Sequence, residues 1–534
     1  MESMFQDDDY LLSQPTDTVA ATLNALSSLG VDRLRVQVLW RAIAPGQNSS
    51  TEPAGFDATN PADYGAPGWA PYDRLVRLAR ARGIKVDFNV TAPGPLWAMG
   101  SPRPLDSNDS KDAHHYRPSA QAFGQFVTAV GRRYSGTYTP PAAGGAPGAG
   151  GAGAAPGAGA SGPLPRVSYW SVWNEPNQPG WLLPQWSSAG GQRVMASPTL
   201  YRDYVDAAFG ALRRTGHGPS TDTILIGELA PEGHDSVNPS TRAYFPLTGS
   251  HDPIAPLRFV RGLYCVDASY RPLRGATATL MQCPASGSSD AFVAAHPALF
   301  QATGFAHHPY SFFLAPGFQV QDPEFVPLAD LPRLEHGLDR IFAAYGMGRQ
   351  LPIYLTEYGY VTDPPNPYKG RFRPAQQALF LDQAQYLAWK DPRVKALSQF
   401  LLVDSLPNTH YPRGSMKYWS TFQTGLLYAS GAPKPAFNAY RLPIFVPEPT
   451  FTGGNTTFIW GMLRAAPNDT RQRAQVQWRG PRGAYRTLTT VSTDDRDGFL
   501  SVHVQLPGTG AVRIAWVSPS GQTFHSRAVG VRGP

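Results

Sequence analysis

Charged residues are scarce in this chain of 534 residues, and glutamate is rarer still. Charged residues make up 16% of the sequence, against 42% hydrophobic and 12% aromatic residues, a globular composition. The net charge of +7 comes from scattered basic residues, so we expect no nucleic-acid partner, which would need a clustered basic patch. No stretch approaches the roughly 20 consecutive apolar residues of a membrane helix, so we expect no membrane span.

Cysteine is almost absent, since the chain contains only Cys265 and Cys283. Their even number and their proximity in one loop-like region favour a disulfide, and two unpaired thiols are the alternative. A disulfide would staple that loop and imply export. The first ten residues show no secretory signal. We therefore expect an extracellular or cell-surface protein whose leader has been removed, and a cytoplasmic location stays open.

Several catalytic signatures are missing as well. The sequence contains no GxSxG elbow, no P-loop and no HExxH motif. His307 and His308 are adjacent but have no spaced acidic partner. We therefore expect neither a metal site nor a cofactor.

Glycine and proline, 53 residues each, indicate long loops. Segment 139–165 consists almost entirely of Gly, Ala and Pro, and few of its side chains are large enough to pack. Such a segment cannot bury the apolar area that would offset its ordering entropy. We predict a disordered surface insertion there, and the lack of a strict glycine period excludes a repeat scaffold.

Apolar strands alternate with amphipathic helices up to residue 443, which predicts a parallel α/β barrel with right-handed crossovers. A loop over 45–70 precedes a helix predicted at Tyr72–Arg82. The predicted strands lie near Ser3–Phe5, Arg33–Trp40, Ile84–Val90, Val167–Trp173, Thr223–Gly227, before His308, after Leu351 and at Val394–Val403.

The pattern changes after Pro443, where helical spacing disappears. Short alternating runs separated by Gly, Pro, Asn and Asp predict a small β-sandwich over residues 444–534. Its predicted strands are Thr457–Leu463, Ala474–Trp478, Thr487–Val491, Phe499–Val504 and Val512–Val517.

Two of the nine glutamates end apolar strands beside Asn-Pro or Tyr-Gly neighbours. Glu175 follows the fourth strand and precedes Pro176, which cannot continue a central strand. Glu357 follows the seventh strand, with Gly359 opening the turn. Catalytic groups collect at the carboxyl ends of barrel strands, so these residues suggest the carboxylate pair of a glycosidase.

The same two stretches resemble a known group of enzymes. Residues Trp173–Pro176 resemble the acid/base signature of clan A glycoside hydrolases, and Thr356–Gly359 resembles the nucleophile strand of that clan. The resemblance covers roughly residues 1–443 and is nearest to glycoside hydrolase families 39 and 5. It implies a (β/α)8 TIM barrel with Glu175 as acid/base and Glu357 as nucleophile.

The resemblance also implies roles for neighbouring residues. Asn174 would donate to the sugar 2-hydroxyl, and Arg35 would keep Glu357 ionised, with Arg33 as the rival arginine. In the His308-Pro-Tyr310 pattern, Tyr310 would hydrogen-bond Glu357 and His308 would line the sugar site. His307 is predicted to be structural.

A second set of site residues is predicted from position alone. Glu228 and Asp404 end the fifth and eighth strands and are candidates for binding sugar hydroxyls, with solvated loop carboxylates as the alternative. Where the clan often has a tryptophan, Val403–Ser405 follows the eighth strand, so the platform for the reacting sugar stays open. The tryptophans that could stack on sugars are Trp97, Trp173, Trp181 and Trp186.

Together these features predict a retaining O-glycoside hydrolase that cleaves oligo- or polysaccharides by a two-glutamate double displacement. A carbohydrate-binding barrel without turnover and a transglycosylase using the same residues are the alternatives. We expect a monomer whose partner is a carbohydrate substrate.

Overall fold

A closed barrel of eight parallel strands forms the first part of the protein. The computed structural model describes residues 1–101, 112–141, 162–234, 249–454 and 456–533. Around the barrel the strands follow the order β1-β10-β9-β8-β7-β4-β3-β2, and a hairpin of β5 and β6 lies outside it. These ten strands are β1 (Glu2–Gln6), β2 (Arg33–Leu39), β3 (Lys85–Thr91), β4 (Tyr169–Val172), β5 (Trp186–Ala189), β6 (Gln192–Met195), β7 (Thr223–Leu229), β8 (Gly304–His307), β9 (Ile353–Leu355) and β10 (Val394–Phe400).

Amphipathic helices connect the barrel strands and bury their apolar faces against the outside of the barrel. Single helical turns at Asp9–Ser13, Leu96–Ala98, Asp112–His114 and Leu328–Asp330 complete the loops. The α-helices are α1 (Thr16–Ser28), α2 (Trp40–Ile43), α3 (Ala66–Arg80), α4 (Ala120–Arg133), α5 (Ser197–Arg214), α6 (Pro256–Leu263), α7 (Gly275–Leu280), α8 (Ser289–Ala295), α9 (Pro297–Gln301), α10 (Leu331–Ala344), α11 (Pro374–Lys390) and α12 (Pro435–Arg441).

Two predicted boundaries are wrong for identifiable reasons. Helix α3 begins at Ala66, inside the predicted loop, because Pro67 occupies its first turn, where a missing N–H costs nothing. The last barrel strand ends at Phe400 rather than Val403. Leu401 has φ 73°, a left-handed conformation that terminates the strand three residues early.

Two antiparallel sheets form the C-terminal β-sandwich, which confirms the predicted fold class. One sheet has the order β11-β12-β15, and the other has the order β14-β13-β16-β17 with β18 also paired to β16. The short strands β11, β17 and β18 are not among those predicted. The strands are β11 (Ile444–Phe445), β12 (Thr456–Met462), β13 (Gln472–Arg479), β14 (Arg486–Thr493), β15 (Phe499–Gln505), β16 (Gly510–Val517), β17 (Thr523–His525) and β18 (Val529–Val531).

The predicted insertion at 139–165 falls mostly on residues 142–161, outside the described residues. Just after them, Leu164 is buried in the barrel core, and its N–H donates to the carbonyl of Tyr138 at 2.9 Å. Further along, a disulfide joins Cys265, which follows α6, to Cys283, which follows α7. Among the described residues, no helix combines the length and the apolar character needed to cross a membrane.

Candidate active site

A cavity of about 690 Å³ opens at the carboxyl ends of the barrel strands. Both predicted catalytic glutamates line it, together with Asn174, Trp181 and Tyr310. All the residues that line it belong to the barrel part of the chain, since the last of them is Thr424. The site is thus formed where parallel strands of a barrel end, the usual location of catalytic groups in this fold.

Glu175 reaches the cavity through an unusual backbone path. Strand β4 ends at Val172, after which Trp173 and Glu175 have φ values of 66° and 38°. Glu228, on the neighbouring strand β7, has φ 51°, and its carbonyl accepts the N–H of Glu175 at 2.9 Å. Left-handed conformations at non-glycine residues cost of the order of 1–3 kcal/mol each and cluster at functional sites. Their concentration here supports an assignment of function to this edge of the barrel.

Glu357 follows strand β9 and is held by two donors. Arg35 Nη1 donates to its Oε1 at 2.8 Å, and the Tyr310 hydroxyl donates to its Oε2 at 3.0 Å. Its side chain is 9% exposed, whereas that of Glu175 is 20% exposed. The two carboxylates therefore face the same cavity from unequal environments. That of Glu357 is paired with the Arg35 cation, whereas that of Glu175 is more exposed.

The carboxylates of Glu175 and Glu357 lie close together. Oxygen atoms of both side chains and a ring nitrogen of His308 all lie within 4.8 Å of one another. In retaining glycosidases the carboxyl groups are about 5–5.5 Å apart, whereas inverting enzymes separate them by about 6.5–9.5 Å to admit a water molecule. The observed spacing matches the shorter distance.

Arg35, on β2, is fully buried and connects four polar side chains. Besides Glu357, its guanidinium donates to Asn174 Oδ1 at 2.7 Å, to Glu228 Oε2 at 2.8 Å and to the amide oxygen of Gln6. A planar guanidinium can hold several acceptors in one fixed geometry, which an ammonium cannot. Arg35 thereby fixes the positions of Glu228 and Glu357 relative to each other and to the amides of Gln6 and Asn174, at the ends of four different strands.

Arg33, the rival candidate, is the first residue of β2 and lies at the opposite end of the barrel. Its Nε donates to Glu2 at 2.9 Å, and its guanidinium lies 3.1 Å from the centre of the Tyr169 ring. It has no contact with the cavity. The geometry therefore favours Arg35 as the arginine of the site.

His308 bridges the carboxylates. Its Nδ1 lies 2.9 Å from Glu175 Oε1 and 3.7 Å from Glu357 Oε2, and its Nε2 lies 2.7 Å from Glu228 Oε2. Burial alone would lower the pKa of His308, but these three carboxylates outweigh it and raise the pKa to about 9. At neutral pH this imidazole therefore carries an extra proton at the centre of an acidic cluster.

Glu228 lies behind the cavity rather than on it. It is fully buried, and Ser171 and Thr356 also donate to its carboxylate. Burial alone would raise the pKa of Glu228, but the charges of Arg35 and His308 lower it to about 2. In this position Glu228 does not reach the cavity, so its predicted contact with sugar hydroxyls has no support. Glu228 instead orients Arg35 and His308, which contact the catalytic carboxylates.

Only one of the four predicted stacking tryptophans lines the cavity formed by the described residues, and this is Trp181. Trp173 is fully buried and stacks on Tyr204 with ring centres 4.7 Å apart, so it packs in the core. Trp186 is buried under the guanidinium of Arg193.

Trp97, predicted to bind substrate, also lies away from the cavity. It packs edge-on against Trp40 with ring centres 6.1 Å apart, and its indole N–H donates to the carbonyl of Pro45 at 3.0 Å. The prediction that Trp97 stacks on a sugar is therefore corrected to a packing role in the loops after β2 and β3.

Asp404 is likewise not part of the cavity. Its Oδ1 accepts from Lys434 Nζ at 2.7 Å and from the N–H of Gly425 at 2.9 Å, and both charged side chains are fully buried. Because β10 ends early at Phe400, the chain turns before Asp404 and buries it under the loop that follows. The predicted sugar contact is replaced by an internal ion pair.

Eight polar residues that sequence reasoning missed are among the described residues that line the cavity: Gln6, Asp8, Gln37, Gln178, Glu232, His234, Lys369 and Thr424. Asp8 accepts from Gln6 Nε2 at 2.7 Å and from the N–H of Gln37 at 2.8 Å. Its position directly after β1 was the available signal. Glu232 and Lys369 lie on irregular loops where no pattern indicates the cavity.

Glu175, His308 and Glu357 also have the composition of a metal site. A ligating imidazole must offer a free lone pair. Both ring nitrogens of His308 already face carboxylates, and the raised pKa keeps the ring protonated at neutral pH. Arg35 in addition supplies a positive charge to Glu357. The residues fit a metal ion poorly, and the absence of a cofactor stays a prediction.

No protein-family model and no curated protein matches this sequence. Among solved structures, the protein is similar to beta-glucuronidase 2 from Bacteroides uniformis, with 8% identity and a TM-score of 0.41 over 100% of this chain and 46% of that one. A beta-glucosidase from Thermotoga maritima shows 14% identity and a TM-score of 0.42 over 77% of this chain and 81% of that one. AbfB, a family 51 alpha-L-arabinofuranosidase from Bifidobacterium longum, shows 12% identity and a TM-score of 0.40 over 94% of this chain and 95% of that one. The chain thus spans less than half the length of the first of these proteins.

Proposed function

We propose that this protein is a glycosidase of the retaining type that hydrolyses O-glycosidic bonds. The observation that carries the proposal is the approach of the Glu175 and Glu357 carboxylates to within 4.8 Å across a cavity at the carboxyl ends of the barrel strands. That distance leaves no room for a water molecule between carboxylate and sugar, so one glutamate must itself attack the anomeric carbon.

Glu357 is the nucleophile in this proposal. Arg35 donates to Oε1 of its carboxylate and Tyr310 to Oε2, and these two hydrogen bonds fix the orientation of the group that attacks. Attack would form a covalent glycosyl-enzyme at the oxygen that faces the sugar. Arg35 and Tyr310 would then remain in place to receive the negative charge that returns to the carboxylate when the intermediate is hydrolysed.

Glu175 is the acid/base and shares a proton with His308. The 2.9 Å contact between Glu175 Oε1 and His308 Nδ1 places that proton between the two groups. As the glycosidic bond breaks, the shared proton passes through Glu175 to the leaving oxygen, which leaves Glu175 as a carboxylate and His308 Nδ1 without that proton. In the second step Glu175 takes a proton from the incoming water.

Asn174 would position the sugar at the same time. Its Oδ1 accepts from Arg35, so the amide nitrogen is the group left to meet a hydroxyl in the cavity. A donor that tightens on the 2-hydroxyl in the transition state adds several kcal/mol of stabilisation in such enzymes, on the order of 2–4 kcal/mol.

We further propose an extracellular location. The disulfide between Cys265 and Cys283 supports it, because disulfides persist in oxidising compartments.

The roles are tested by replacing each glutamate in turn, after aryl glycosides of xylose, arabinose, glucose, galactose and mannose have identified a substrate. Glu357→Ala should lower turnover of every substrate by at least about 10⁴, because no covalent intermediate can form. Glu175→Ala should lower turnover by about 10²–10⁴ where the leaving group needs a proton. For a dinitrophenyl glycoside the intermediate should accumulate, and azide should release a glycosyl azide of retained configuration.

Glu448→Ala, at an exposed position outside the barrel, is the control and should behave like the parent. Inverted product from the parent enzyme would contradict the proposal, as would azide rescue of Glu357→Ala with the same anomer. Tight sugar binding without turnover would indicate a carbohydrate-binding barrel. Transfer of the glycosyl group to added sugar in preference to water would indicate a transglycosylase.

A further inference from the structure

Exposed apolar side chains are concentrated on one side of the cavity. Among the described residues ten large apolar side chains are exposed, and eight of them lie on three neighbouring loops, residues 312–318, 362–373 and 405–423. We call these three loops the apolar rim. Scattered single exposed side chains need no explanation, but a contiguous group of this kind marks a binding surface.

The loop at 405–423 contributes the most exposed members. Leu406 is 73% exposed and Met416 is 68% exposed, and Tyr411 and Phe422 lie between and beside them. These side chains belong to a segment that follows β10 and folds back on itself, since the N–H of Ser405 donates to the carbonyl of Phe422 at 2.9 Å. The segment is a hairpin-like loop that presents its apolar residues to solvent.

Side-chain contacts join the loop at 312–318 to the loop at 362–373, and that loop to the one at 405–423. The Arg371 guanidinium lies 4.6 Å from the centre of the Phe313 ring, and Lys369 Nζ lies 5.7 Å from the centre of the Phe422 ring. The Tyr368 hydroxyl donates to a carbonyl in the loop at 405–423. The three loops therefore form one continuous surface, on which Phe312, Phe313, Phe318 and Tyr368 are also exposed.

Basic residues are interspersed with these apolar residues. The loop at 405–423 carries Arg413 and Lys417 and contains no acidic residue. The loop at 362–373 carries three basic residues against the single carboxylate of Asp363. The apolar rim thus combines protruding apolar side chains with an excess of positive charge.

This combination identifies the occupant by elimination. Sugars stack on flat aromatic faces, which leaves the aliphatic Leu406 and Met416 without a role. A second copy of the protein in a two-fold dimer would place one positively charged rim against another, which is repulsive. An anionic lipid surface accepts both features, since apolar side chains enter the acyl boundary while Lys and Arg contact the headgroups.

We propose that the apolar rim docks on an anionic lipid surface and that the substrates of the cavity are glycosides with a lipid aglycone. The second part rests on the proposed glycosidase function. It follows from the position of the rim, because Phe312, Phe313, Phe422 and Lys369 belong to the rim and also line the cavity. A protein docked in this way has its cavity mouth at the lipid surface.

Docking is tested by flotation of the full-length protein with vesicles of phosphatidylcholine alone or with roughly 30% phosphatidylglycerol. We expect binding to the anionic vesicles that weakens as salt rises from about 0.05 to 0.5 M. The double variant Leu406→Ser/Met416→Ser should bind about 10- to 100-fold more weakly, because two apolar side chains no longer enter the bilayer. Arg413→Glu/Lys417→Glu should lose at least about tenfold and most of the salt dependence.

The control is Leu379→Ser/Val517→Ser, which removes the two large exposed apolar side chains that lie outside the rim in the described part of the chain, and it should bind like the parent. Thermal melts of all variants establish that they are folded. Absence of vesicle binding by the parent overturns docking, as does equal loss in the control. A concentration-dependent dimer that the Leu406→Ser/Met416→Ser variant loses would assign the rim to self-association and also overturn it.

The aglycone is tested with methyl, octyl and dodecyl glycosides of the sugar that the aryl screen identifies. We expect kcat/KM to rise at least about tenfold from methyl to octyl, since each buried methylene adds to binding of the transition state. Equal kcat/KM values for the methyl, octyl and dodecyl glycosides would overturn the proposal of a lipid aglycone without affecting the glycosidase proposal. Vesicle binding needs no turnover, so docking is judged separately even if no glycoside is hydrolysed.

Discussion

His308 makes the charge state of the whole site depend on one proton. Its folded-state pKa is raised from 6.5 to about 9, so its stabilising contribution is fully present below pH 6.5 and is lost as the pH rises through 9. The neighbouring His307 has the opposite environment. Burial lowers the pKa of His307 to about 4, and its Nε2 lies 2.7 Å from the carbonyl of Val326, which confines its effect to acid pH.

The first prediction compares these two histidines. Between pH 6.5 and pH 9.5 the parent should lose about 2–3 kcal/mol of unfolding free energy that His308→Gln does not lose, because only the parent releases this proton. Denaturant unfolding at a series of pH values measures the difference. His307→Gln should follow the parent over this range, and a parallel loss in both variants would refute the role of His308.

The second prediction concerns Arg35, whose replacement should lower both the activity and the stability of the protein. Arg35→Lys keeps the positive charge but cannot hold Gln6, Asn174, Glu228 and Glu357 together, so kcat on an aryl glycoside should fall by at least about 10². Stability should also fall by about 2–4 kcal/mol, because a fully buried ion network loses partners.

The matched control is Arg33→Lys, at the other buried arginine of the same strand. It should lower the melting temperature but leave kcat per folded molecule within about twofold of the parent, since it contacts Glu2 and Tyr169 far from the cavity. An equal loss of kcat in both variants would mean that the activity responds only to general destabilisation.

These residues also show what a sequence can predict about a site. Glu175 and Glu357 could be found because each follows a buried strand and precedes a residue that ends it. Asp8 lies just past β1 and Gln37 lies within β2, but neither belongs to a motif, and only the closed barrel brings both residues to the same cavity as Glu357. The role of Trp97 could not be assigned from the sequence, because an indole ring can either stack on a sugar or pack between loops.

At the scale of elements, the end of β10 decides what the following residues do. Apolar residues continue without a break from Phe400 to Val403, which is why the sequence places Asp404 at the strand end. The left-handed Leu401 depends on contacts that sequence periodicity does not contain: its N–H donates to the carbonyl of Gln6 at 2.8 Å, and Asp7 accepts the N–H groups of Leu402 and Val403. The acidic stretch after β1 thus caps the last strand.

The ion pair of Asp404 and Lys434 should therefore matter for folding and not for chemistry. Asp404→Asn leaves the Lys434 ammonium buried without a counter-charge, which should cost about 3–5 kcal/mol. Thermal unfolding measures the loss, and kcat per folded molecule should stay close to that of the parent. A selective fall in kcat with an unchanged melting temperature would restore the sugar-binding role.

At the scale of the whole molecule, none of the described residues of the sandwich lines the cavity, but the sandwich shares a buried interface with the barrel. Helix α11 carries Tyr386 and Trp389, which pack against Trp460 of β12 with ring centres 5.8 Å away in both cases. Arg527 pairs with the buried Asp382 of the same helix and donates to the carbonyl of Ile444 at 2.9 Å. The interface therefore holds both an aromatic cluster and a charge pair.

Arg464 of the sandwich also contacts the barrel, near the start of the chain. Its Nε donates to the carbonyl of Tyr440 at 2.7 Å, its guanidinium lies 4.0 Å from the centre of the Tyr440 ring, and it also donates to the hydroxyl of Ser3 on β1. A strand of the barrel and its last helix are thus tied by a residue of the sandwich. Sequence composition could divide the chain into two parts but could not indicate this contact.

The two parts should consequently unfold together. Arg527→Met removes the partner of Asp382, whose pKa burial already raises to about 7 against the opposing charge of Arg527. Stability near neutral pH should fall by about 3–5 kcal/mol, with a single unfolding transition for barrel and sandwich. Arg473→Met, at an exposed position on β13, should change stability by no more than about 0.5 kcal/mol.

A chain cut after residue 443 should aggregate, because the aromatic side chains of α11 would be exposed to water. Recovery of that shortened barrel as a soluble protein with the melting temperature of the parent would show that the interface is dispensable.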